Sequence, residues 1–428
     1  MPSLAEPGTL LPRNSANLVR ETLNDTPIAV IQGARQVGKS TLAKQLLVVL
    51  GGEFESLDDA GSLAAAEADP DGFVDRPGGG MLVIDELQRA PGLVRALKAA
   101  VDRDRHPGRF LVTGSADLLD VPGVNDSLAG RAETISLYGF SQGELVGVHD
   151  DFVGNVLHSP TDWLRSHSSE RSRHEYVELV CVGGYPPAVA RNERGRERWF
   201  GNYLQRIVRR DATEVSRLQY LERLPVMLRL IAANNAGELV QAHLARDVGM
   251  PETSLAPYLR LLENLYLIQR VPAWHANLTK RVVGRPKVSI LDSGLATHLI
   301  GQTPGTLSVA GGQPYFGGLL EGFVSSELTK QKTWSNARYE LYHFRDRDGA
   351  EVDLIAESAA GDVLGIEVKA AKTVTESDFR GLKLIRSKSG SEFKAGIVLH
   401  LGERVRSFGD RLWSVPLDAV WASGPDRA

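Results

Sequence analysis

The residues Gly33-Ala34-Arg35-Gln36-Val37-Gly38-Lys39-Ser40 have the types and spacing of a loop that wraps its backbone around phosphate. Glycines let successive N–H groups turn toward phosphate oxygens, and a helix N-terminus behind them adds partial positive charge. Lys39 is the side chain to reach the β- and γ-phosphates, and Ser40 is a hydroxyl ligand for Mg²⁺. Thr41 is counted with the loop. A second acidic element follows at Asp85-Glu86, after the apolar run Met81-Leu82-Val83-Ile84. A buried parallel strand delivers such carboxylates to its C-terminal edge. Asp85 is then the partner of the metal, and Glu86 is placed to polarise an attacking water. The competing reading makes the acidic pair a cap for the next helical segment. Two adjacent carboxylates and no legible acceptor site favour hydrolysis over transfer. The cofactors expected are ATP and Mg²⁺.

These residues need a strand before the loop and a helix after it. Ile28-Ala29-Val30-Ile31 reads as that strand, and Leu42 to Leu50 as that helix, stopped by Gly51-Gly52. Phe54 to Leu57, Phe110 to Thr113 and Thr134 to Leu137 read as further strands. Strand-like and helix-like segments alternate through residues 1–150, which is the pattern of a parallel sheet covered by helices.

At 428 residues the chain is too long for one ordinary domain. Its 42% hydrophobic and 24% charged content is that of a globular protein. A net charge of −4 argues against wholesale coating of nucleic acid. The single Cys181 excludes an internal disulfide, which suits a reducing compartment. No stretch has the apolar length of a membrane helix, and the first residues lack the order of a secretion signal. The expected address is cytoplasmic, with no membrane partner.

Residues 151–305 turn mainly helical. Between Arg191 and Arg229 stand ten arginines against five acidic residues, readable as a basic surface or as a solvated, ion-paired helix face. Leu239 to Gly249, then Ser254-Leu255 and the series Tyr258, Leu259, Leu262, Leu265, read as helix, glycine turn, helix. The second helix is expected to start near Thr253 or Ser254, which keeps Pro257 in its first turn. Ile268 to Val271 and Lys287 to Leu291 read as strands flanking a loop, making the unit a winged helix. That loop carries Arg270, Lys280, Arg281, Arg285 and Lys287 and no acidic residue. Contacts to DNA phosphates and packing against a neighbouring domain are both open readings.

Residues 306–428 open on a helix from about Phe316 to Gln331, followed by strands at Tyr339 to Phe344, Val352 to Ala356 and Val363 to Val368. The order Glu321, Asp353, Glu367-x-Lys369 matches the metal-dependent core of restriction-endonuclease-like folds. Strand alternation puts Glu367 and Lys369 on one face, beside Asp353. Such carboxylates would hold Mg²⁺ and the lysine would orient the water. Glu-x-Lys also occurs on strands by chance. Beyond Lys369, Glu376 is the nearest residue to complete the core.

Taken together, the chain resembles a family of prokaryotic AAA-type P-loop ATPases with a middle winged-helix segment and a C-terminal nuclease-like domain of unknown function. The carriers are the loop at 33–40, Leu-Val-Ile-Asp-Glu at 82–86, Leu-Val-Thr-Gly-Ser at 111–115 and Leu-Ala-Gly-Arg at 128–131. Pro-Lys-Val at 286–288, Leu-Asp-Ser-Gly-Leu-Ala at 291–296 and Ile-Glu-Val-Lys at 366–369 add to them. The resemblance implies an α/β multidomain chain: a P-loop domain at 1–150, a helical and winged-helix domain at 151–305, and an α/β restriction-endonuclease-like domain at 306–428. It implies that Ser115 or Thr113 senses the γ-phosphate or the water. Arg131 would stabilise transition-state charge, often in a neighbouring subunit of an oligomer, and Arg209-Arg210-Asp211 would supply a second sensor. The implied partners are ATP, DNA and a protein partner. Three outcomes remain open here: an ATPase whose nucleotide state rearranges its other modules, a nucleic-acid enzyme in which ATP gates cleavage or remodelling by the C-terminal domain, or an ATP-gated switch or scaffold that binds a protein partner without nuclease activity.

Overall fold

The computed structural model describes residues 10–75, 80–114, 128–208, 212, 218–276, 284–309 and 313–424. The chain divides into two compact units, one of Pro12–Gly139 with Asn264–Tyr266, the other of Phe140–Glu263 with Leu267–Ala428.

The first unit is a parallel sheet. Strands β1 (Ile28–Gln32), β2 (Glu53–Ser56), β3 (Leu82–Asp85), β4 (Phe110–Gly114) and β5 (Ala132–Ser136) lie in the order β2-β3-β4-β1-β5. Every pairing is parallel. β1, β3 and β4 are buried throughout, so their near-continuous apolar sequences are those of strands covered on both faces. Ile28, Val30, Ile84, Phe110 and Val112 pack with Leu93 and Leu97 of the helix Leu93–Arg103 in one core. The phosphate-loop helix runs Lys39–Leu50, three residues earlier than the apolar pattern indicates, because Lys39 and Ser40 themselves form its first turn.

The second unit begins with helices and then forms two sheets. β6 (Gly237–Glu238), β7 (Ile268–Val271) and β8 (Lys287–Ile290) make a small antiparallel sheet in the order β6-β8-β7. Preceding the hairpin, the helix Gln241–Val248 stops at Gly249 with φ 80°, where only glycine sits without strain. The next helix, Glu252–Asn264, begins slightly before the expected Thr253 or Ser254. Pro257 therefore falls inside it, at the cost of one backbone hydrogen bond.

A six-stranded mixed sheet follows: β9 (Tyr339–Arg345), β10 (Glu351–Ser358), β11 (Val363–Lys369), β12 (Phe393–His400), β13 (Arg406–Ser407) and β14 (Leu412–Pro416), ordered β13-β14-β12-β11-β10-β9. β11, β12 and β14 run parallel, while β9, β10 and β13 are antiparallel to their neighbours. The helix Gln313–Gln331 is the expected long helix, starting before Phe316. The small sheet is tied to the large one where Trp274 N–H donates to the His343 carbonyl at 2.6 Å and His343 N–H donates to the Pro272 carbonyl at 3.0 Å.

The end of Gln313–Gln331 carries a buried polar network. Glu327 accepts from the Gln142 N–H at 2.7 Å and from Lys330 Nζ at 2.6 Å. Gln331 Nε2 donates to Asp150 at 3.0 Å, and Ser141 Oγ donates to the same carboxyl at 3.1 Å. Burial, then the nearby Glu327 charge, push the Asp150 pKa from its ordinary 3.8 up to about 7. The native state therefore keeps a proton that the unfolded chain releases. Its contribution is fully present below 3.8 and is lost as pH rises to about 7. Replacing Asp150 with Asn should flatten stability against pH across that window by about 1.4 kcal/mol per pH unit. Urea-unfolding midpoints of wild type and variant at several pH values measure it; parallel curves would contradict the assignment.

Candidate functional site

The phosphate loop runs from the end of β1 to the helix Lys39–Leu50. A Cβ at Gly33 would lie 2.0 Å from the Leu137 carbonyl oxygen, and Gly38 has φ 101°. No other residue type satisfies both positions without strain. Gln36 is left-handed at φ 63°, a conformation that a non-glycine residue holds at a cost. Lys39, 5% exposed, donates to the carbonyls of Gly33 at 3.0 Å and Ala34 at 2.9 Å, so its ammonium lies against the loop. Ala34, Arg35, Val37 and Thr41 flank it in the same strand–loop–helix segment.

Asp85 is the hub at the end of β3. Ser40 Oγ donates to Asp85 Oδ1 at 2.7 Å, Thr113 Oγ1 donates to it at 2.5 Å, and Ser56 Oγ donates to Oδ2 at 3.4 Å. The parallel register sets Ser56 beside Asp85 and places β4 next to β3. Glu86 follows at φ 62°, its N–H donating to Thr113 Oγ1 at 3.2 Å, and Gln88 Nε2 donates to its carboxylate. The Ser40 hydroxyl and the Asp85 carboxylate are the oxygen donors a hard cation takes, so this set fits Mg²⁺.

Of the remaining residues expected at this site, only Arg131 is among those described, and it stands elsewhere. Ser115 and the Arg209-Arg210-Asp211 stretch lie outside the described residues; of the two sensor candidates, Thr113 is the one on Asp85. Arg131 directly precedes β5, and its carbonyl accepts the Ile28 N–H at the amino edge of the sheet. The phosphate loop leaves the opposite edge, a strand length of roughly 15 Å away. Its guanidinium grips Asp102 at 2.7 and 3.0 Å. Sequence reading missed Ser56, Gln88 and Arg13. Buried Arg13 donates to the carbonyls of Val37 at 2.9 Å and Tyr138 at 2.6 Å, bracing the loop. A serine ending the strand beside an acidic strand end was a usable signal; nothing local marks Arg13.

The second cluster is in the C-terminal sheet. Glu321 comes from the helix Gln313–Gln331, Glu351 and Asp353 from β10, Glu367 and Lys369 from β11. The ladder between β9 and β10 shifts register between Val352 and Ile355, which frees Asp353 to turn inward. Its Oδ2 accepts the Val368 N–H at 2.9 Å. Lys369 Nζ donates to Glu367 at 2.7 Å, as strand alternation requires.

At the centre stands Lys287, the first residue of β8. Its ammonium lies 2.9 Å from Glu351, 3.1 Å from Asp353 and 3.3 Å from Glu321. Of the two open readings of the basic loop, Lys287 takes the packing one: it is 5% exposed and its charge is consumed inside the protein. Arg270 of the same basic set pairs with Glu263, while Lys280 and Arg281 lie outside the described residues. Glu376 does not complete the cluster, because it pairs with Lys383 on the surface. Burial opposes the charge on Lys287, but Asp353, Glu321 and Glu351 override it and hold the lysine above its ordinary value. Burial and the Asp353 charge push Glu321 and Glu367 up. Among the described residues, no three His, Cys, Asp or Glu side chains are gathered to hold a metal ion. The expected Mg²⁺ set of Glu321, Asp353 and Glu367 therefore does not fit one here: Glu321 and Asp353 close on the ammonium of Lys287, and Glu367 on that of Lys369.

Replacing Thr113 with Val removes a donor from buried Asp85 and the acceptor of the Glu86 N–H. A loss of about 1–3 kcal/mol in unfolding free energy is expected. Denaturant unfolding without nucleotide measures it, and an unchanged midpoint would refute the hub role.

Comparison with known proteins gives matches along most of the chain. Residues 25–146 match a family described as an AAA domain. Residues 173–306 and 316–420 match two families described as domains of unknown function. Two proteins, from Mycobacterium bovis and Mycobacterium tuberculosis, each described as uncharacterized, are 29% identical over 421 residues, covering 96% of this chain and 85% of theirs. Among solved structures, a Walker-type ATPase of Pyrococcus abyssi is similar with a TM-score of 0.41 and 18% identity, covering 70% of this chain and 98% of that one. The Holliday junction branch migration motor RuvB of Thermotoga maritima follows with a TM-score of 0.30 and 17% identity, covering 60% and 89%. Structural likenesses of this depth carry no functional argument. The AAA-domain match, on a five-stranded parallel sheet with its phosphate loop after β1, supports an AAA-type P-loop ATPase.

Proposed function

We propose that this protein is a Mg²⁺-dependent ATPase whose nucleotide state rearranges the middle winged-helix and C-terminal modules. The observation that carries the reading is the convergence of Ser40, Thr113 and Asp85 within 2.7 Å contacts behind the loop that holds Lys39. Residues 33–41 receive the phosphates, with Lys39 moving from the loop carbonyls to the β- and γ-oxygens. Ser40 and Asp85 hold the metal, which supplies charge neutralisation at the phosphates. Glu86, oriented by Gln88, accepts the proton of the attacking water. Thr113 or Ser115 reports the γ-phosphate to Glu86. Arg131 sits too far from its own loop to assist it, so in this reading it serves a neighbouring copy in an oligomer.

Lys39→Ala should abolish nucleotide binding or turnover, and Glu86→Gln should bind ATP while hydrolysing it at least 10²-fold more slowly, on the order of a lost general base. Binding by fluorescent nucleotide and phosphate release separate the two. Normal hydrolysis by Glu86→Gln would remove that residue from the mechanism.

DNA is the partner on which rearrangement is proposed to act, through the exposed Arg285 and the basic loop around it. ATPase rate with and without duplex or single-stranded DNA, at two salt concentrations, tests this. Stimulation that collapses as salt rises supports a phosphate-contacting partner. A rate indifferent to DNA favours the second reading, a cytoplasmic ATP-gated switch that binds a protein and cleaves nothing. The seating of Lys287 among Glu321, Glu351 and Asp353 is the observation on that side. Metal-dependent nicking that vanishes in Asp353→Ala or Lys369→Ala would refute it.

A further inference from the structure

The C-terminal cluster holds four carboxylates, Glu321, Glu351, Asp353 and Glu367, against two ammoniums, Lys287 and Lys369, with the Arg345 guanidinium 3.9 Å from Glu351 at its rim. An ammonium has three N–H donors, and Lys287 lies within bonding reach of three different carboxylates. Their distances of 2.9 to 3.3 Å are those of N–H···O contacts. A divalent ion draws oxygens to about 2.0–2.6 Å and takes six or more of them. The adjoining cavity, lined by Lys287, Ser289, Glu321, Ser325 and Asp353, has a volume of about 10 Å³. That admits one water and nothing as large as a phosphate. Glu367 Oε2 is a further buried oxygen without a hydrogen-bond partner, on a residue 8% exposed.

We propose that Lys287 is the built-in cation of this cluster. It occupies the place of a divalent metal, pins β8 to the helix Gln313–Gln331 and to β10, and leaves a cryptic metal site that opens only when the lysine is removed. The connection runs through the backbone as well: β7 continues into the Trp274–His343 contacts, and His343 Nε2 lies 2.9 Å from the Arg285 carbonyl, two residues before Lys287. The hairpin thus delivers the ammonium to a fixed point, and the six-stranded sheet delivers the carboxylates. With Lys287 gone, the oxygens of Glu321, Glu351 and Asp353, joined by the unpartnered oxygen of Glu367, are left with two cations at the rim, Lys369 on Glu367 and Arg345 at 3.9 Å from Glu351. They are then a hard-oxygen set with excess negative charge, which is the chemistry that selects Mg²⁺, Mn²⁺ or Ca²⁺. The proposal does not depend on the phosphate-loop chemistry, since none of these residues belongs to that site.

The test uses the full-length protein without nucleotide and Mn²⁺ as the probe, read by electron paramagnetic resonance and by melting temperature. Wild type should show no Mn²⁺ binding that disappears on Asp353→Asn. Lys287→Met should melt lower than wild type, bind about one Mn²⁺ per chain, and recover its melting temperature saturably with Mn²⁺. Lys287→Met/Asp353→Asn should lose both the binding and the recovery. Should Lys287→Met alone not fold, Lys287→Met/Glu321→Gln, which removes one carboxylate with the ammonium, is measured in its place and should still gain Mn²⁺. Asp353-dependent Mn²⁺ binding by wild type would overturn the proposal, as would a folded Lys287 variant that gains none. The ATPase rate of the same preparations distinguishes this failure from that of the proposed hydrolysis, because it is set in the other cluster.

Discussion

A buried carboxylate on a strand must be met by donors, and both carboxylate clusters of this protein are organised by that requirement. Asp85 ends a strand covered on both faces, at 6% exposure, and receives hydroxyls from Ser40, Thr113 and Ser56. Each hydroxyl comes from a different element: the phosphate-loop helix, β4 and β2. The carboxylate therefore fixes the relative heights of these elements at the carboxyl edge of the sheet. Asp353, at 5% exposure, is met instead by the Val368 N–H and by a full positive charge. Neutral hydroxyls leave the first carboxylate able to share a cation, whereas the ammonium of Lys287 takes up the second.

Around Asp85 the backbone stores strain where chemistry is expected. Gln36 and Glu86 both hold left-handed conformations, each costing on the order of 1–3 kcal/mol that the surrounding packing must offset. The sheet core of Val30, Ile84 and Val112 is the rigid body against which this is held. The left-handed turn at Glu86 carries the chain out of the sheet directly after Asp85. One carboxylate then faces the hydroxyls while the next is held by Gln88.

In the second unit, charge placement overrides what local composition suggests. A loop with five basic residues and no acidic one reads as a surface for phosphate or as packing against a neighbour; one of its lysines is spent on an interior cluster and an arginine is spent on Glu263. Breaking such a buried pair by removing one partner leaves an uncompensated charge, a loss of roughly 3–5 kcal/mol. The seat of β8 on the C-terminal sheet is therefore held by electrostatics as well as by the backbone contacts at Trp274 and His343. The apolar core of Trp274, Phe344, Val352, Ile355 and Phe379 lies beneath those contacts.

The sequence by itself determined the strand–loop–helix of the first unit, the strands at Leu82–Asp85 and Phe110–Gly114, and the pairing of Ile268–Val271 with Lys287–Ile290. Those elements are written in short-range patterns: apolar runs, glycines at forced backbone angles, and alternation along a strand. It also named Lys39, Ser40, Asp85 and the shared strand face of Glu367 and Lys369, because each lies inside a compact motif; that those two pair with each other is a finding of the structure. Only the tertiary structure decided which partners those residues meet. Ser56, Thr113 and Arg13 reach the site across 24 to 29 residues of chain or more, through strand order and helix docking, and no local spacing encodes such encounters. Lys287 is the sharpest case. Its neighbours in sequence are basic and apolar, and its carboxylate partners lie 34 and 66 residues onward on another helix and sheet. A lysine's charge is legible in sequence; whether water or a buried carboxylate receives it depends on the fold.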